Sequence, residues 1–367
     1  MKFTVLKENL LSGLNVVSKA VNTRSPLPVL SNVLIKTEKG RIKLVTSDLQ
    51  ITITTFVGAK IDEDGEITVP AKILNEFVNQ VRDDKIEFIL NGAILNLKTD
   101  KAKASITGIP ASEFPSIEEV ESGVELNLKS EDFANAIQKV QFVVAVDEGR
   151  PVLTGIYFKT EKDKLIIAGT DGYRMAEQII KIEKTDDVVC IIPAKSFAEI
   201  LKLFSAKSDQ IKFVINNERN FAKLETEDMQ AQFRMIDGEY PDYKAILPDD
   251  FSTEVRISSS EFSNGIKLSS IFSRDIGNMI KIVIKDKSIK SLSQPSEAGS
   301  NVTEMLGEVD GEDISIAFNA KYLLDFVNNV QTDEVVFKAE GPLKPVLFSR
   351  SGGKDYFYLV MPMKATW

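Results

Sequence analysis

The side chains able to do chemistry in this 367-residue chain are carboxylates, lysines and hydroxyls, because histidine is absent and cysteine occurs once. Without histidine there is no Ser-His-Asp or Cys-His catalysis and no imidazole-ligated metal, and one cysteine leaves no thiolate zinc set. Carboxylates could still hold divalent cations and run nucleotidyl transfer between two metals. Asp48 and Asp171 stand at equivalent places in a repeated pattern, and Asp62-Glu63-Asp64 and Asp310-Gly311-Glu312-Asp313 are acidic clusters. Three features oppose a carboxylate metal-dependent nucleotidyltransferase. The two aspartates fall in different repeats with no counterpart near Gln294. The clusters contain or adjoin glycine and flank strand-like runs, as solvated turns do. No phosphate-loop or dinucleotide glycine fingerprint occurs. The expectation is no metal, no cofactor and no catalytic residue. Cys190, inside the apolar run 188–192, reads as a buried strand position and not as a reactive thiol.

Carboxylates and lysines alike must be placed by elements, and one element recurs. Val69-Pro70-Ala71-Lys72-Ile73-Leu74-Asn75-Glu76-Phe77-Val78 returns as Ile192-Pro193-Ala194-Lys195-Ser196-Phe197-Ala198-Glu199-Ile200-Leu201. It returns again as Phe318-Asn319-Ala320-Lys321-Tyr322-Leu323-Leu324-Asp325-Phe326-Val327. The interval is roughly 125 residues, the size of one domain. Each copy opens on Pro or Asn, suited to a helix start, followed by Ala-Lys. Leu74, Phe77, Val78 and Val81 match Phe197, Ile200, Leu201 and Phe204, and then Leu323, Phe326, Val327 and Val330, a stripe of helical period. Lys72, Lys195 and Lys321 share one place; Glu76, Glu199 and Asp325 share another. Two readings of the lysines stay open: solvated charges balanced by these acids, or a contact surface repeated three times.

Each unit also opens with a strand and a first helix, over residues 1–5 and 7–21, 125–128 and 130–144, and 254–257 and 259–272. Leu10, Phe133 and Phe262 align, as do Leu14, Ile137 and Ile266. Between them stands Gly13, Ala136 or Gly265, small enough for another element to approach closely. Ser258 and Glu261 have capping-box spacing. Hairpin-like runs follow over 32–45, 155–167 and 279–292, the first turning at 38–40. Further strands begin at Asp84, Asp209 and Asp333. Strands outnumber helices without βαβ alternation, so the class is α+β with antiparallel sheets. Boundaries near 118–123 and 248–252 give three tandem homologous domains, 1–121, 122–250 and 251–367, with two helices each.

The net charge of -9 opposes whole-surface attraction to nucleic acid but does not say where the charges sit. No apolar run reaches the roughly 18 residues of a membrane span, and the first residues lack a signal-peptide core. The expectation is a cytoplasmic protein with no membrane contact.

Five motifs, in order on the triple repeat, carry a resemblance over the whole length. They are Met1-Lys2-Phe3-Thr4-Val5, Arg24-Ser25-Pro26-Leu27-Pro28-Val29-Leu30, Thr170-Asp171-Gly172-Tyr173-Arg174-Met175, Tyr240-Pro241-Asp242-Tyr243 and Tyr358-Leu359-Val360-Met361-Pro362-Met363-Lys364. Together they make the chain resemble the bacterial DNA polymerase III beta-subunit family, the replicative sliding clamps. The resemblance implies the DNA clamp fold, with two chains joined head to tail as a homodimeric ring whose helices line a hole for double-stranded DNA. It implies a processivity factor with no catalytic activity of its own. The implied partners are the DNA polymerase III alpha subunit, the clamp loader, and other polymerases and repair proteins, all binding through short linear motifs. A repeat scaffold that binds only proteins is the competing class; DNA-dependent behaviour separates the two.

On this reading Arg24, Lys72, Lys139, Arg150, Lys195, Lys202, Lys267 and Lys321 face DNA, with Lys19 beside them. Weak, sequence-blind phosphate contacts suit a ring that slides, with topology retaining it. The resemblance places a partner-peptide pocket at Leu153, Thr170, Tyr173, Arg174, Met175, Pro241, Ile246, Leu343, Pro345, Leu359, Val360, Met361, Pro362 and Met363. Such a groove has methionine adaptability, suited to several short motifs; residues 359–363 alone also read as a core strand with a frayed end. Tyr173 stands where the family commonly has histidine, and Ala365-Thr366-Trp367 extends past the usual stop near Lys364. The dimer interface is implied at Ile271 and Phe272, against an edge strand with Lys101, Lys103, Ala104 and Ile106. The acidic run often set opposite those lysines reads Pro295-Ser296-Glu297-Ala298-Gly299-Ser300 here, with few acids. Ile271 and Phe272 then matter more, each worth on the order of 1.5–3 kcal/mol if fully buried.

Overall fold

The computed structural model describes residues 1–21, 26–117, 122–147, 149–248, 250–297, 299–365 and 367. Among these, six α-helices form, two per repeat: α1 (Lys7–Val17), α2 (Ala71–Gln80), α3 (Ser130–Gln141), α4 (Ala194–Ser205), α5 (Ser259–Ile271) and α6 (Ala320–Asn329). The Ala-Lys helices start at their alanines, and the side chain of Asn319 caps α6 by accepting from the Lys321 N–H at 3.0 Å. Ser258 caps α5 through the Glu261 N–H at 3.3 Å. The reciprocal half of the box does not form; Glu261 accepts instead from the Leu306 N–H at 3.1 Å. The predicted stripes face inward, with Leu74, Phe197, Phe204, Leu323 and Phe326 fully buried.

The first helices stop earlier than their periodicity predicts, at Val17, Gln141 and Ile271. At α1 the cause is a contact from a later strand. Thr46 Oγ1 donates to the Val17 carbonyl, and Ser18–Ala20 tighten into a 3-10 turn.

The chain packs as two compact units, Met1–Ala134 with Ser196–Met235, and Asn135–Lys195 with Ile236–Trp367. The second repeat thus contributes to both. In the first unit the described strands join one sheet of twelve, and in the second they form a sheet of nine and a sheet of four. Every pairing is antiparallel, as expected for the class. Cys190 is buried in the strand Val189–Pro193.

One junction occurs twice. In the first unit the long strand Ile51–Glu63 pairs through its far half with Lys2–Leu6 and through its near half with Met229–Arg234, Ile51 lying opposite Phe233. In the second unit the equivalent strand, Arg174–Lys181, pairs with Tyr356–Val360, Arg174 lying opposite Val360. Each time, the strand after an aspartate turn pairs with the closing strand of the next repeat. The third such strand, Val302–Met305, pairs only with Ser288–Ser293 among the described residues. The closing strand of the first repeat, Lys103–Thr107, pairs only with Ile94–Lys98 among the described residues. The small residue of the first helix admits these strands: a Cβ on Gly13 would lie 2.7 Å from Val57, and one on Gly265 would overlap Met305.

Candidate functional site

The aspartates that could have held metals are turn residues. Asp48 Oδ1 accepts from the N–H groups of Gln50 and Ile51 at 2.9 and 2.7 Å. Asp171 Oδ1 accepts from those of Tyr173 and Arg174 at 2.9 and 3.0 Å. Both turns need a left-handed residue next, Leu49 with φ 75° and Gly172 with φ 90°; glycine adopts that conformation freely and leucine does so under strain. In the acidic clusters, Asp62 pairs with Lys60, Asp64 accepts from Thr37, and Asp313 accepts from the Asp286 N–H. Among the described residues, no three carboxylate, imidazole or thiol groups converge as metal ligands.

Arg174 does more than open its strand. Its guanidinium, 8% exposed, donates Nε to Asp171 at 3.0 Å, Nη1 to Asp325 at 2.7 Å and Nη2 to the Phe142 carbonyl at 3.0 Å. It also lies 4.4 Å from the ring centroid of Tyr322 on α6. Arg174 therefore bolts the second repeat's strand to the third repeat's helix, and its charged end is committed there. The equivalent position in the first unit is the buried, apolar Ile51. This answers one part of the shared acidic position. Asp325 serves this ion pair, whereas Glu76 makes a loose pair with Lys72 at 3.9 Å between two well-exposed side chains, of little energetic weight. Spacing alone could not have found Arg174 and Asp325, which lie 151 residues apart.

Around that junction the other residues predicted for a pocket separate into a buried set and an exposed set. Met175 and Leu359 share one buried cluster with Ala168 and Tyr243, against which Tyr157, Tyr240, Leu247, Leu347 and Phe357 pack. Leu153 and Val360 are also buried. Tyr173 (67%), Leu343 (61%), Ile246 (50%) and Met361 (37%) are exposed apolar side chains, the kind that marks a recognition surface when grouped. Pro241 is exposed, and Thr170, Pro345, Pro362 and Met363 are half-buried. Thr170 Oγ1 donates to the Arg174 carbonyl at 2.7 Å and accepts from the Gly172 N–H at 3.0 Å. The segment after Val360 is not frayed: the Met361 N–H donates to the Tyr173 carbonyl at 2.9 Å and the Met363 N–H to that of Ala317 at 2.8 Å.

A buried acid supports this wall and was not anticipated. Glu177, on the strand of Met175, accepts from the Tyr243 hydroxyl at 2.5 Å. Burial raises the pKa of its carboxyl, a rise the Tyr243 bond opposes, and burial raises that of the Tyr243 phenol as well. Tyr157 stacks on Tyr240 at 4.7 Å. The bond ties the Tyr243–Ile246 turn to the strand that carries Met175.

Of the predicted DNA-facing residues, Lys72, Arg150, Lys195, Lys202, Lys267 and Lys321 are exposed, as is Lys19. Lys139 is half-buried and donates to Gln178 at 3.5 Å, so this lysine is partly taken up internally. Arg24 lies outside the described residues, as do Glu118–Glu121 of the first predicted boundary, Ala298 and Thr366. At the predicted interface Ile271, Lys101 and Lys103 are exposed, and Phe272 and Ala104 half-buried. Ile106 points into its own core, 5% exposed, so it offers a partner only backbone.

Three family models of the DNA polymerase III beta subunit match in order: the N-terminal domain over residues 1–118, the central domain over 127–242 and the C-terminal domain over 244–364. The beta sliding clamp of Bacillus subtilis is 27% identical over 378 residues, spanning 99% of this chain and 100% of that protein. The solved DNA polymerase sliding clamp of Bacillus subtilis matches at TM-score 0.95 and 26% identity, covering 100% of this chain and 99% of that one. A Pseudomonas aeruginosa sliding clamp bound to griselimycin matches at TM-score 0.94 and 26% identity over 100% of both chains. The chain belongs to the DNA polymerase III beta-subunit family, the beta sliding clamps, which are non-catalytic processivity factors of that polymerase.

Proposed function

We propose that two copies of this chain close head to tail into a ring that encircles double-stranded DNA and tethers DNA polymerase III to it. The observation that carries the reading is the strand junction, made twice within the chain and left open at two complementary edges. Lys103–Thr107 of one copy set against Val302–Met305 of another would repeat the same antiparallel junction, and unpaired strand edges recruit such partners. Exposed Ile271, Val302 and Leu306 supply apolar surface beside the second edge. The domains are 1–121, 122–250 and 251–367, and the exposed lysines at the starts of α2, α4 and α6 meet the phosphate backbone without reading sequence.

The rim formed by Tyr173, Ile246, Leu343 and Met361 over Met175 and Leu359 takes short linear motifs of the alpha subunit, the clamp loader, and other polymerases and repair proteins. That a clamp of this fold is solved with griselimycin bound supports a ligand site on the fold. Sedimentation tests the ring: the native protein runs as a dimer, and the double substitution Ile271→Ala with Phe272→Ala shifts it to monomer. A native monomer at micromolar concentration, or an unchanged dimer in the variant, overturns the proposed edges.

A further inference from the structure

The segment that follows Tyr356–Val360 reaches the four-stranded sheet at its edge and sets the Trp367 ring against Lys281 of the neighbouring strand. Met363 bridges to Ala317 on the free edge of Ile314–Asn319. Ala317 lies opposite Lys281 of Met279–Lys285, and the Lys281 ammonium sits 4.3 Å from the ring centroid of Trp367. Strand alternation puts Ser315 and Ala317 on the outer face, yet Ser315 is exposed and Ala317 is 4% exposed. Something covers that face at Ala317 and not at Ser315. The bridge and the indole locate the cover: the Met363 backbone lies beside Ala317 and the Trp367 ring lies over Lys281.

We infer that Trp367 is a positioning residue for the partner pocket: docked over Lys281, it anchors this segment and so holds Met361 and Met363 in place as the rim. The inference rests on the pocket reading above. Tyr173 holds the Met361 N–H, but beyond it the segment has one strand-bridge hydrogen bond, worth little by itself against chain entropy, so Met363 gains from a further fixed point. A cation over an indole face contributes about two- to fivefold in an equilibrium at a partly exposed site. The Trp367 Nε1 is buried without an acceptor, which offsets part of that gain. A phenylalanine keeps a ring over the ammonium and removes the orphaned donor.

The experiment uses the full-length protein and its Trp367→Ala, Trp367→Phe and Lys281→Met variants, with amide exchange at Met361 and Met363 and griselimycin as the binding probe. Trp367→Ala and Lys281→Met should speed exchange at both amides and weaken griselimycin binding about two- to fivefold. Trp367→Phe should stay within about twofold of native on both measures. Unchanged exchange in Trp367→Ala overturns the anchoring. Faster exchange with unchanged affinity overturns the link from anchor to pocket. A native protein that shows slow exchange but no griselimycin binding counts against the pocket itself, and with it the rim role.

Discussion

Replacing Arg174 with methionine keeps much of the side-chain volume and removes the charge that holds strand Arg174–Lys181 to α6. Lost are the ion pairs to Asp171 at 3.0 Å and Asp325 at 2.7 Å, and the hydrogen bond to the Phe142 carbonyl at 3.0 Å. Two carboxylates that shared one cation are then left facing each other. Breaking a buried ion pair by removing one partner costs about 3–5 kcal/mol. Asp171 and Asp325 keep 17% and 24% of their side-chain surface in water, so solvent takes up part of the load and the lower end, about 3 kcal/mol, is expected. Asp325→Asn keeps an acceptor and removes one charge, for about half that cost. The double variant should cost about 1–2 kcal/mol less than the sum of the two singles, because the pair is already broken in either. Urea unfolding followed by circular dichroism and by the fluorescence of Trp367, the one tryptophan, reads these differences in the unit that holds the junction. A cost below about 1 kcal/mol for Arg174→Met, or additive costs in the double variant, refutes the bolt.

Two further outcomes follow from the site. Because burial raises the Glu177 carboxyl pKa, the folded protein holds this proton more tightly than the unfolded chain. The resulting stability is fully present below the ordinary carboxyl pKa and is lost as pH rises through the raised value. Glu177→Gln escapes that loss, so its urea midpoint relative to native should climb as pH rises above the ordinary carboxyl range; a pH-independent difference refutes the assignment. Changing Lys72, Lys195 and Lys321 together to glutamate should leave the dimer and its retention on circular DNA intact and speed its diffusion along the duplex, more so at low salt. Unchanged diffusion at low salt places the DNA contacts elsewhere.

The repeat was legible because its signal is local. An Ala-Lys start, a capping Asn319 and a stripe of period 3.6 act within one helix, and α2, α4 and α6 begin at the expected alanines. Helix ends were less so, since Val17 is stopped by Thr46 from a strand distant in sequence. The floor residues Met175 and Leu359 came from the family resemblance; alternation alone gives them as ordinary core, which in burial they are. What no spacing revealed were pairings between residues far apart in sequence: Arg174 with Asp325 across two repeats, and Glu177 with Tyr243 and Trp367 with Lys281 each within one. Each joins residues whose individual positions look like surface or turn; the strand junction brings the first pair together, and the folding of a single repeat the other two. The same junction explains why three similar repeats pack as two units, the second repeat giving strands to both.

The central claim is that a closed ring holds this protein on DNA by topology and not by affinity. The direct measurement loads the native protein onto nicked circular plasmid with its cognate clamp loader, isolates the complex, and cuts the plasmid once. The account predicts retention on the circle and rapid loss after linearisation, with blocked ends restoring retention. Retention on open linear DNA, or no loading by a competent cognate loader, would contradict it.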